Sequence, residues 1–277
     1  MATFRYVVAD VFTDVPLAGN QLAVFTDATQ LPEERLQPLA RELNLSETVY
    51  VYPPAEDGHV RIRIFTPSRE LPFAGHPVLG TAFVLAAPLQ LEEIRLETGA
   101  GVVPVRVERE GARIVFGWMR QPPFPFEAYD RADELLELLG VDGSGLPVEV
   151  YLQGPGHVFV ELGSPEDVVA LRPDLGALQE LSPYGTACFA REGDVWRARV
   201  FVPSHGVGED PATGSAAGPL ALHLARHGRI EFGEQIEIHQ GTEIGRPSTL
   251  YAVARSEQEI EVGGSAVVVA RGEFRLS

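Results

Sequence analysis

Two short segments, each with a glycine ahead of a predicted helix, hold the residues best suited to chemistry. The first contains Gly75 and His76, and the second contains Asp210, Gly214 and Ser215. The first turn of a helix presents unpaired backbone N–H groups and the positive end of the helix dipole, so it favours an anion. Glycine also lets a ligand approach the backbone closely. Two such termini facing one cleft are suited to binding a carboxylate from both sides.

The composition removes several other kinds of chemistry. All 22 basic residues are arginine, and without lysine neither Schiff-base catalysis nor a P-loop is available. The single cysteine, Cys188, excludes a disulfide framework, a CxxC redox pair and any mechanism with two thiols. The histidines show no HExxH or facial-triad spacing, so we predict neither a metal nor a cofactor. Any proton transfer would then depend on carboxylate and imidazole groups.

The charge balance narrows the kind of partner. A formal net charge of -17 over 277 residues argues against nucleic acid and anionic membranes, since both require a basic surface. No apolar stretch approaches the roughly 20 residues of a membrane span, and the first residues lack a signal-peptide pattern. We therefore expect a cytoplasmic protein that acts on a small molecule.

Strand and helix patterns surround the two glycine segments in the same order. Arg61–Ser68 (RIRIFTPS) is similar to Arg197–Ser204 (RARVFVPS), and each is followed by a loop, a glycine and a helix. The patterns predict these helices over Pro77–Ala87 and Gly214–Arg226. A unit that occurs twice indicates duplication, so we predict two pseudo-symmetric halves with a ligand-binding cleft between them.

A proline-rich segment separates the two copies. Gln121–Phe126 (QPPFPF) can continue neither a helix nor a strand, which predicts domains over residues 1–122 and 123–277. The final strand, Ala266–Phe274, is compatible with either domain. We expect Cys188 in the core as a small apolar residue. The repeated strands carry four arginines that we expect on a solvated sheet face: Arg61, Arg63, Arg197 and Arg199.

Several motifs in order make the sequence similar to the PhzF-like family of phenazine biosynthesis proteins over essentially its whole length. They are DVFT at 10–13, LAGN at 17–20, LSET at 45–48, ELPFAGHPVLGTA at 70–82, GEDPATGSAAG at 208–218, QG at 240–241 and GRPS at 245–248. The resemblance implies an α+β fold like that of diaminopimelate epimerase. In that fold, two pseudo-symmetric domains each wrap a curved, mostly antiparallel sheet around a central helix.

The resemblance also implies roles for particular residues. Ala74 and Thr213 stand where the epimerase has two cysteines, so the two-thiol mechanism is absent. The glutamate of the SET motif, Glu47, corresponds to the family's general acid/base. The other implied site residues are His76 and Asp210 beside the substrate, Ser215 and Asn20 as substrate ligands, and the amides near Gly75 and Gly214 as carboxylate ligands. Glutamine at position 21, where the family usually has proline, leaves the expected role of Asn20 in place.

These roles predict a cofactor-independent isomerase that moves a proton on a small carboxylate substrate. Two alternatives remain open from the sequence: a racemase or epimerase of a small amino or hydroxy acid, and a carboxylate-binding protein without catalysis. A phosphate or nucleotide binder is disfavoured, because neither glycine loop matches GxGxxG. The resemblance further implies a homodimer.

Overall fold

The computed structural model describes residues 2–276, apart from the side chain of residue 205. The α-helices in this part of the chain are α1 Glu33–Leu43, α2 Gly75–Leu89, α3 Ala132–Leu139, α4 Pro165–Ala170, α5 Leu175–Leu181 and α6 Gly214–Arg226. The strands are β1 Ala2–Val11, β2 Asn20–Phe25, β3 Glu47–Tyr52, β4 Val60–Phe65, β5 Glu70–Leu71, β6 Glu93–Thr98, β7 Gly101–Glu110, β8 Arg113–Arg120, β9 Phe126–Ala128, β10 Glu149–Tyr151, β11 His157–Glu161, β12 Gly185–Glu192, β13 Val195–Phe201, β14 Glu209–Asp210, β15 Gln235–Gln240, β16 Ser248–Ser256, β17 Glu259–Gly264 and β18 Ala266–Leu276.

The strand pairing repeats in the two halves. In the first half, β2 pairs in parallel with β3 and β4 with β6, while the remaining neighbours are antiparallel. In the second half, β11 pairs in parallel with β12 and β13 with β15, and the other pairs are again antiparallel. Strand β8 is antiparallel to β17 and joins the halves, with Met119 opposite Val262.

The second half supplies one strand to the first. Strand β18 ends the second half in sequence but pairs with β1, whereas β9 lies beyond residue 122 and pairs with β10 of the same half. The final strand, whose location the sequence left open, therefore lies against the first half. The boundary between residues 122 and 123 stays a prediction.

The central helices are α2 and α6, and both are buried along most of their length. A helix that is apolar on all sides belongs in a core rather than on a surface. The sheet strands pack around α2 through side chains such as Val78, Leu79 and Ala82, which have no exposed area. The predicted α+β fold, with a curved and mostly antiparallel sheet around a central helix in each half, is confirmed.

One of the four repeated arginines differs from the expectation of a solvated face. Arg199 is 5% exposed, and its Nε and Nη2 donate to the two carboxylate oxygens of Glu209 at 2.8 and 2.7 Å. Arg63 makes the equivalent two-bond contact with Glu70 at 2.7 Å, and it is more exposed. Strands β5 and β14 bring these acids beside β4 and β13, so the prediction was wrong for Arg199 because two-residue strands carry no sequence pattern.

Other parts of the fold follow local chemistry. Helix α5, which the sequence patterns did not predict, begins after Asp174, whose side chain accepts hydrogen bonds from the N–H groups of Gly176 and Ala177.

Cys188 is fully buried as expected, and burial raises the pKa of its thiol to about 12. Among residues 2–276, no helix is both long and apolar enough to span a bilayer.

Candidate active site

The N-termini of α2 and α6 meet at the centre of the molecule. A Cβ atom added to Gly75 would lie 2.5 Å from the carbonyl carbon of Gly214, so only glycine allows this approach. The residues before the helices, Ala74 and Thr213, provide no side-chain cap to the first-turn N–H groups. Both helix ends therefore keep their capacity to bind an anion. Gln121 Nε2 donates to the Gly214 carbonyl at 2.8 Å and ties this junction to the end of β8.

Glu47 and His76 face each other beside this junction. Glu47 opens β3, and its Oε2 lies 3.2 Å from His76 Nε2. The two atoms are not aligned for a hydrogen bond, and neither has another hydrogen-bond partner among the described residues. The side chains are only 14% and 4% exposed. Glu47 is thus a nearly buried carboxyl group with one oxygen uncommitted.

Asp210 is held in place by side chains from distant parts of the chain. Asn20 Nδ2 donates to Asp210 Oδ1 and to the Ala212 carbonyl, both at 2.8 Å. The same nitrogen lies 3.2 Å from His76 Nδ1. An amide nitrogen has two protons, so the two shorter contacts use both of them. Thr213 Oγ1 donates to Asp210 Oδ2 at 2.6 Å, so both carboxylate oxygens accept a hydrogen bond.

Gln240 fixes the loop that precedes α6. Its Nε2 donates to the Asp210 carbonyl at 2.7 Å and to Thr213 Oγ1 at 3.0 Å. Its Oε1 accepts from the Thr213 N–H at 3.1 Å. Since Gln240 ends β15, the sheet positions the loop that carries Asp210.

Burial sets the protonation of the three titratable groups. Desolvation and, second, the nearby Asp210 charge raise the pKa of Glu47 well above its ordinary value. Desolvation likewise raises the pKa of Asp210 to about 6, although hydrogen bonds from Thr213 and Asn20 oppose the shift. Desolvation lowers the pKa of His76 to about 3, so its imidazole is neutral at physiological pH.

These groups surround a small enclosed cavity of about 30 Å³, which is space for about one water molecule. Its walls include Glu47, His76, Asp210, Ser215 and His157. His157 opens β11, and its Nε2 lies 2.9 Å from Ser215 Oγ. Larger surface grooves, such as one of about 540 Å³ beside Tyr251, are more open and touch neither helix terminus.

The structure brings the predicted site residues together. The cavity is lined by Glu47, Gly75, His76, Asp210, Gly214 and Ser215, and Asn20 lies behind it in contact with Asp210 and His76. The catalytic and binding roles of these residues stay predictions.

The sequence reasoning missed His157, Gln121 and the contact role of Gln240. The QG motif pointed to Gln240. No local signal marked the other two, since both reach the site through strand pairing.

A second polar cluster lies at the other end of α6. Glu149, His223 and His227 offer ligand atoms within 4.8 Å of one another, although the spacing of the histidines in the sequence predicted no metal site. His223 Nδ1 and His227 Nε2 each lie 3.2 Å from Glu149 Oε2. Arg226 donates to the same oxygen at 2.6 Å and already supplies a positive charge there. We therefore interpret the cluster as a structural ion network.

Comparisons with known proteins identify the family of this chain. A sequence profile of the family described as "Phenazine biosynthesis-like protein" matches residues 9–272. The chain is 52% identical to trans-2,3-dihydro-3-hydroxyanthranilate isomerase of Pseudomonas aeruginosa, covering 98% of this chain and 99% of that protein. It is 50% identical to the enzyme of the same name from Pseudomonas fluorescens, with the same coverage.

Solved structures share the fold. A predicted epimerase from Pseudomonas aeruginosa superimposes with a TM-score of 0.85 at 32% identity, covering 99% of this chain and 100% of the other. A hydroxyproline epimerase from Agrobacterium vitis shares the fold alone, with a TM-score of 0.67 at 10% identity over 98% of this chain and 92% of that one. With the family match spanning nearly the whole sequence, the chain belongs to the phenazine biosynthesis-like protein family and is an isomerase.

Proposed function

We propose that this chain is a cofactor-independent isomerase that moves a proton between carbons of a small unsaturated carboxylate, with Glu47 as the general acid/base. The observation that carries the proposal is the uncommitted Oε2 of Glu47, which lies in a closed cavity beside two helix N-termini. A carboxyl group whose pKa approaches neutrality can both donate and accept a proton at physiological pH. Burial raises the pKa of Glu47 in that direction.

The proposed substrate is trans-2,3-dihydro-3-hydroxyanthranilate or a closely related cyclic amino acid. That compound is the one named for relatives 50–52% identical to this chain. The cavity of about 30 Å³ is smaller than this compound, so the two halves would separate to admit it. Its carboxylate would then accept hydrogen bonds from the N–H groups at Gly75 and Gly214 and from Ser215. Its hydroxyl-bearing carbon is next to the ring diene, so the proton on that carbon is activated by conjugation.

In the proposed reaction, one C–H bond breaks and another forms while the double bonds shift. The carboxylate of Glu47 takes the activated proton and returns it to another ring carbon, so the enzyme ends in its starting state. Asp210 favours the protonated form of Glu47 by charge repulsion. Neutral His76 adjoins Glu47 and adds no positive charge that would stabilise its ionised form.

A Glu47→Gln variant tests this assignment. We expect it to bind substrate with nearly unchanged affinity but to lose at least about a hundredfold in turnover, the lower range for removal of a general acid/base. Hydrogen–deuterium exchange into substrate in heavy water, followed by NMR, measures the proton transfer directly. The matched control is Glu42→Gln, at an exposed glutamate on α1, which should leave exchange unchanged. Full exchange by Glu47→Gln would reject the role of Glu47.

Epimerisation is the second candidate, because the site holds two carboxyl groups with raised pKa values. An epimerase would remove a proton with Glu47 or Asp210 and return one to the opposite face of the same carbon. The product distinguishes the two reactions: deuterium at a new position with moved double bonds indicates isomerisation. Deuterium at the original carbon with inverted configuration indicates epimerisation.

A further inference from the structure

We propose that His157 is a positioning residue that makes the hydroxyl group of Ser215 a donor to the substrate carboxylate, and so gives the site its preference for a carboxylate over a neutral group. This inference rests on the proposed function, in which a carboxylate binds at the N-terminus of α6. Its basis is the 2.9 Å contact between His157 Nε2 and Ser215 Oγ at the wall of the cavity.

The contact leaves one hydrogen-bonding direction of Ser215 for a ligand. Ser215 is 4% exposed, and His157 Nε2 is the side-chain partner of its hydroxyl among the described residues. A serine hydroxyl has one proton to donate and lone pairs to accept with. If His157 Nε2 carries a proton, that N–H donates to Ser215 Oγ and leaves the hydroxyl proton for the cavity. If Nε2 is unprotonated, the Ser215 hydroxyl donates its hydrogen bond to the imidazole and has no proton left for a ligand.

The surroundings of Ser215 decide between the two states. Ser215 is the second residue of α6, where backbone N–H groups and the helix dipole favour an anion. An anion accepts hydrogen bonds. With a protonated His157 Nε2, the Ser215 hydroxyl and the N–H groups at the start of α6 can all donate to the same anion. A bare Nε2 would instead make Ser215 an acceptor suited to an ammonium or hydroxyl group, in conflict with the helix end.

The absence of a side chain at Gly185 leaves room for the His157 ring to face Ser215. His157 lies opposite Gly185 in the parallel pairing of β11 with β12. A Cβ atom on Gly185 would stand 2.5 Å from His157 Nδ1 and 2.9 Å from a methyl group of Val202. A side chain at position 185 would therefore displace the ring from Ser215, although the backbone there is compatible with any residue.

Binding of two matched probes tests the proposal. The probes are 3-hydroxyanthranilate, the aromatic counterpart of the proposed substrate, and its carboxamide, both measured by calorimetry. We expect wild-type protein to prefer the carboxylate. His157→Leu and Ser215→Ala should each weaken carboxylate binding by about 10- to 100-fold, as for loss of a hydrogen bond to a charged group. The carboxamide should lose much less, and the double variant should lose little beyond either single variant.

A conservative variant and a spectroscopic readout separate positioning from structural support. His157→Gln retains an N–H near the position of Nε2 and should restore most of the carboxylate preference. In turnover, His157→Leu should raise KM by the same factor as its loss of binding and lower kcat by less than about threefold. The ¹⁵N NMR shifts of wild-type His157 should report a protonated Nε2. If His157→Leu does not fold, Gly185→Ala displaces the same ring and should reproduce its loss of binding.

Three results would overturn the inference. The first is an unprotonated Nε2 in wild-type His157, and the second is loss of the carboxylate preference in a folded His157→Gln variant. The third is an unchanged carboxylate preference in His157→Leu, or in Gly185→Ala if His157→Leu does not fold. Failure of the proposed reaction is distinguishable from these results. A protein that catalyses no proton exchange but keeps a carboxylate preference dependent on His157 would reject the function and support the positioning role.

Discussion

At the scale of single residues, desolvation is the main cause of the properties of the site. Glu47, His76 and Asp210 each favour the uncharged form because burial penalises the charged one. Nearby charges and hydrogen bonds adjust this effect without reversing it. The site therefore combines two carboxyl groups whose pKa values are raised with an imidazole that stays neutral at physiological pH.

The raised pKa of Asp210 predicts a pH-dependent stability. The folded protein holds a proton on Asp210 that the unfolded chain releases between about pH 4 and pH 6. The free energy of unfolding should therefore fall as pH rises through that window, by about 2 to 3 kcal/mol from this group. Asp210→Asn removes the titrating group and should lose less stability over the same window, as measured by urea unfolding at pH 4 and pH 7.

The comparison needs a variant with an exposed aspartate changed. Asp142→Asn alters an exposed residue and should follow the wild-type pH dependence. Equal pH dependence in Asp210→Asn and wild type would contradict the assignment of the raised pKa to Asp210.

At the scale of elements, the site depends on how closely two helices approach. Helices α2 and α6 meet end to end, with the backbone of Gly75 against that of Gly214. This approach places two anion-binding termini on one cavity of about 30 Å³. The duplication of the fold explains the arrangement, since each half supplies one strand–loop–glycine–helix unit.

A methyl group at this junction should disturb both stability and function. In Gly75→Ala the added Cβ would stand 2.5 Å from backbone atoms of α6, so a helix must shift. We expect a loss of about 1 to 3 kcal/mol in unfolding free energy, the usual cost of overpacking, together with weaker carboxylate binding. Thermal unfolding and calorimetry measure the two effects.

Gly143→Ala is the matched control, because a Cβ there meets no atom within 4 Å. It should leave both measurements near wild type. A stable Gly75→Ala variant with normal binding would show that the junction tolerates separation of the helices.

At the scale of the whole molecule, two strand pairings link the halves. β18 of the second half pairs with β1 along ten residues of each strand, and β17 pairs with β8 across four. Neither half can keep its full sheet when the other unfolds. We therefore expect one cooperative unfolding transition.

The two tryptophans allow a direct test. Trp118 lies in β8 of the first half and Trp196 in β13 of the second. In each single-tryptophan variant, Trp118→Phe and Trp196→Phe, fluorescence from the remaining tryptophan should follow the same denaturant midpoint as far-ultraviolet circular dichroism. Fluorescence that changes well before or after circular dichroism would indicate that the halves unfold separately.

Assembly and location stay predictions at this scale. The resemblance implies a homodimer, and the lack of a signal-peptide pattern predicts a cytoplasmic location. Light scattering on the purified protein would measure its mass in solution. The acidic net charge of -17 bears on solubility rather than on the identity of the substrate.

Local sequence alone determined much of this protein. Helix α6 was predicted over Gly214–Arg226, and the structure has the same bounds, because small residues and a helical repeat follow a glycine. The order of the longer strands and the duplication were also predicted from short motifs. The absence of lysine and of a second cysteine restricted the chemistry before any fold was known.

Only the tertiary structure decided which side chains meet and how they titrate. Asn20 contacts Asp210 across 190 positions of sequence, and His157 reaches Ser215 across 58. Strand pairing creates such contacts, and no local pattern encodes the partner. The protonation of Glu47 likewise depends on burial, since an isolated carboxyl group keeps its ordinary pKa. Residue types and helix starts are local properties, whereas contacts and desolvation arise only when the two halves close around the same cavity.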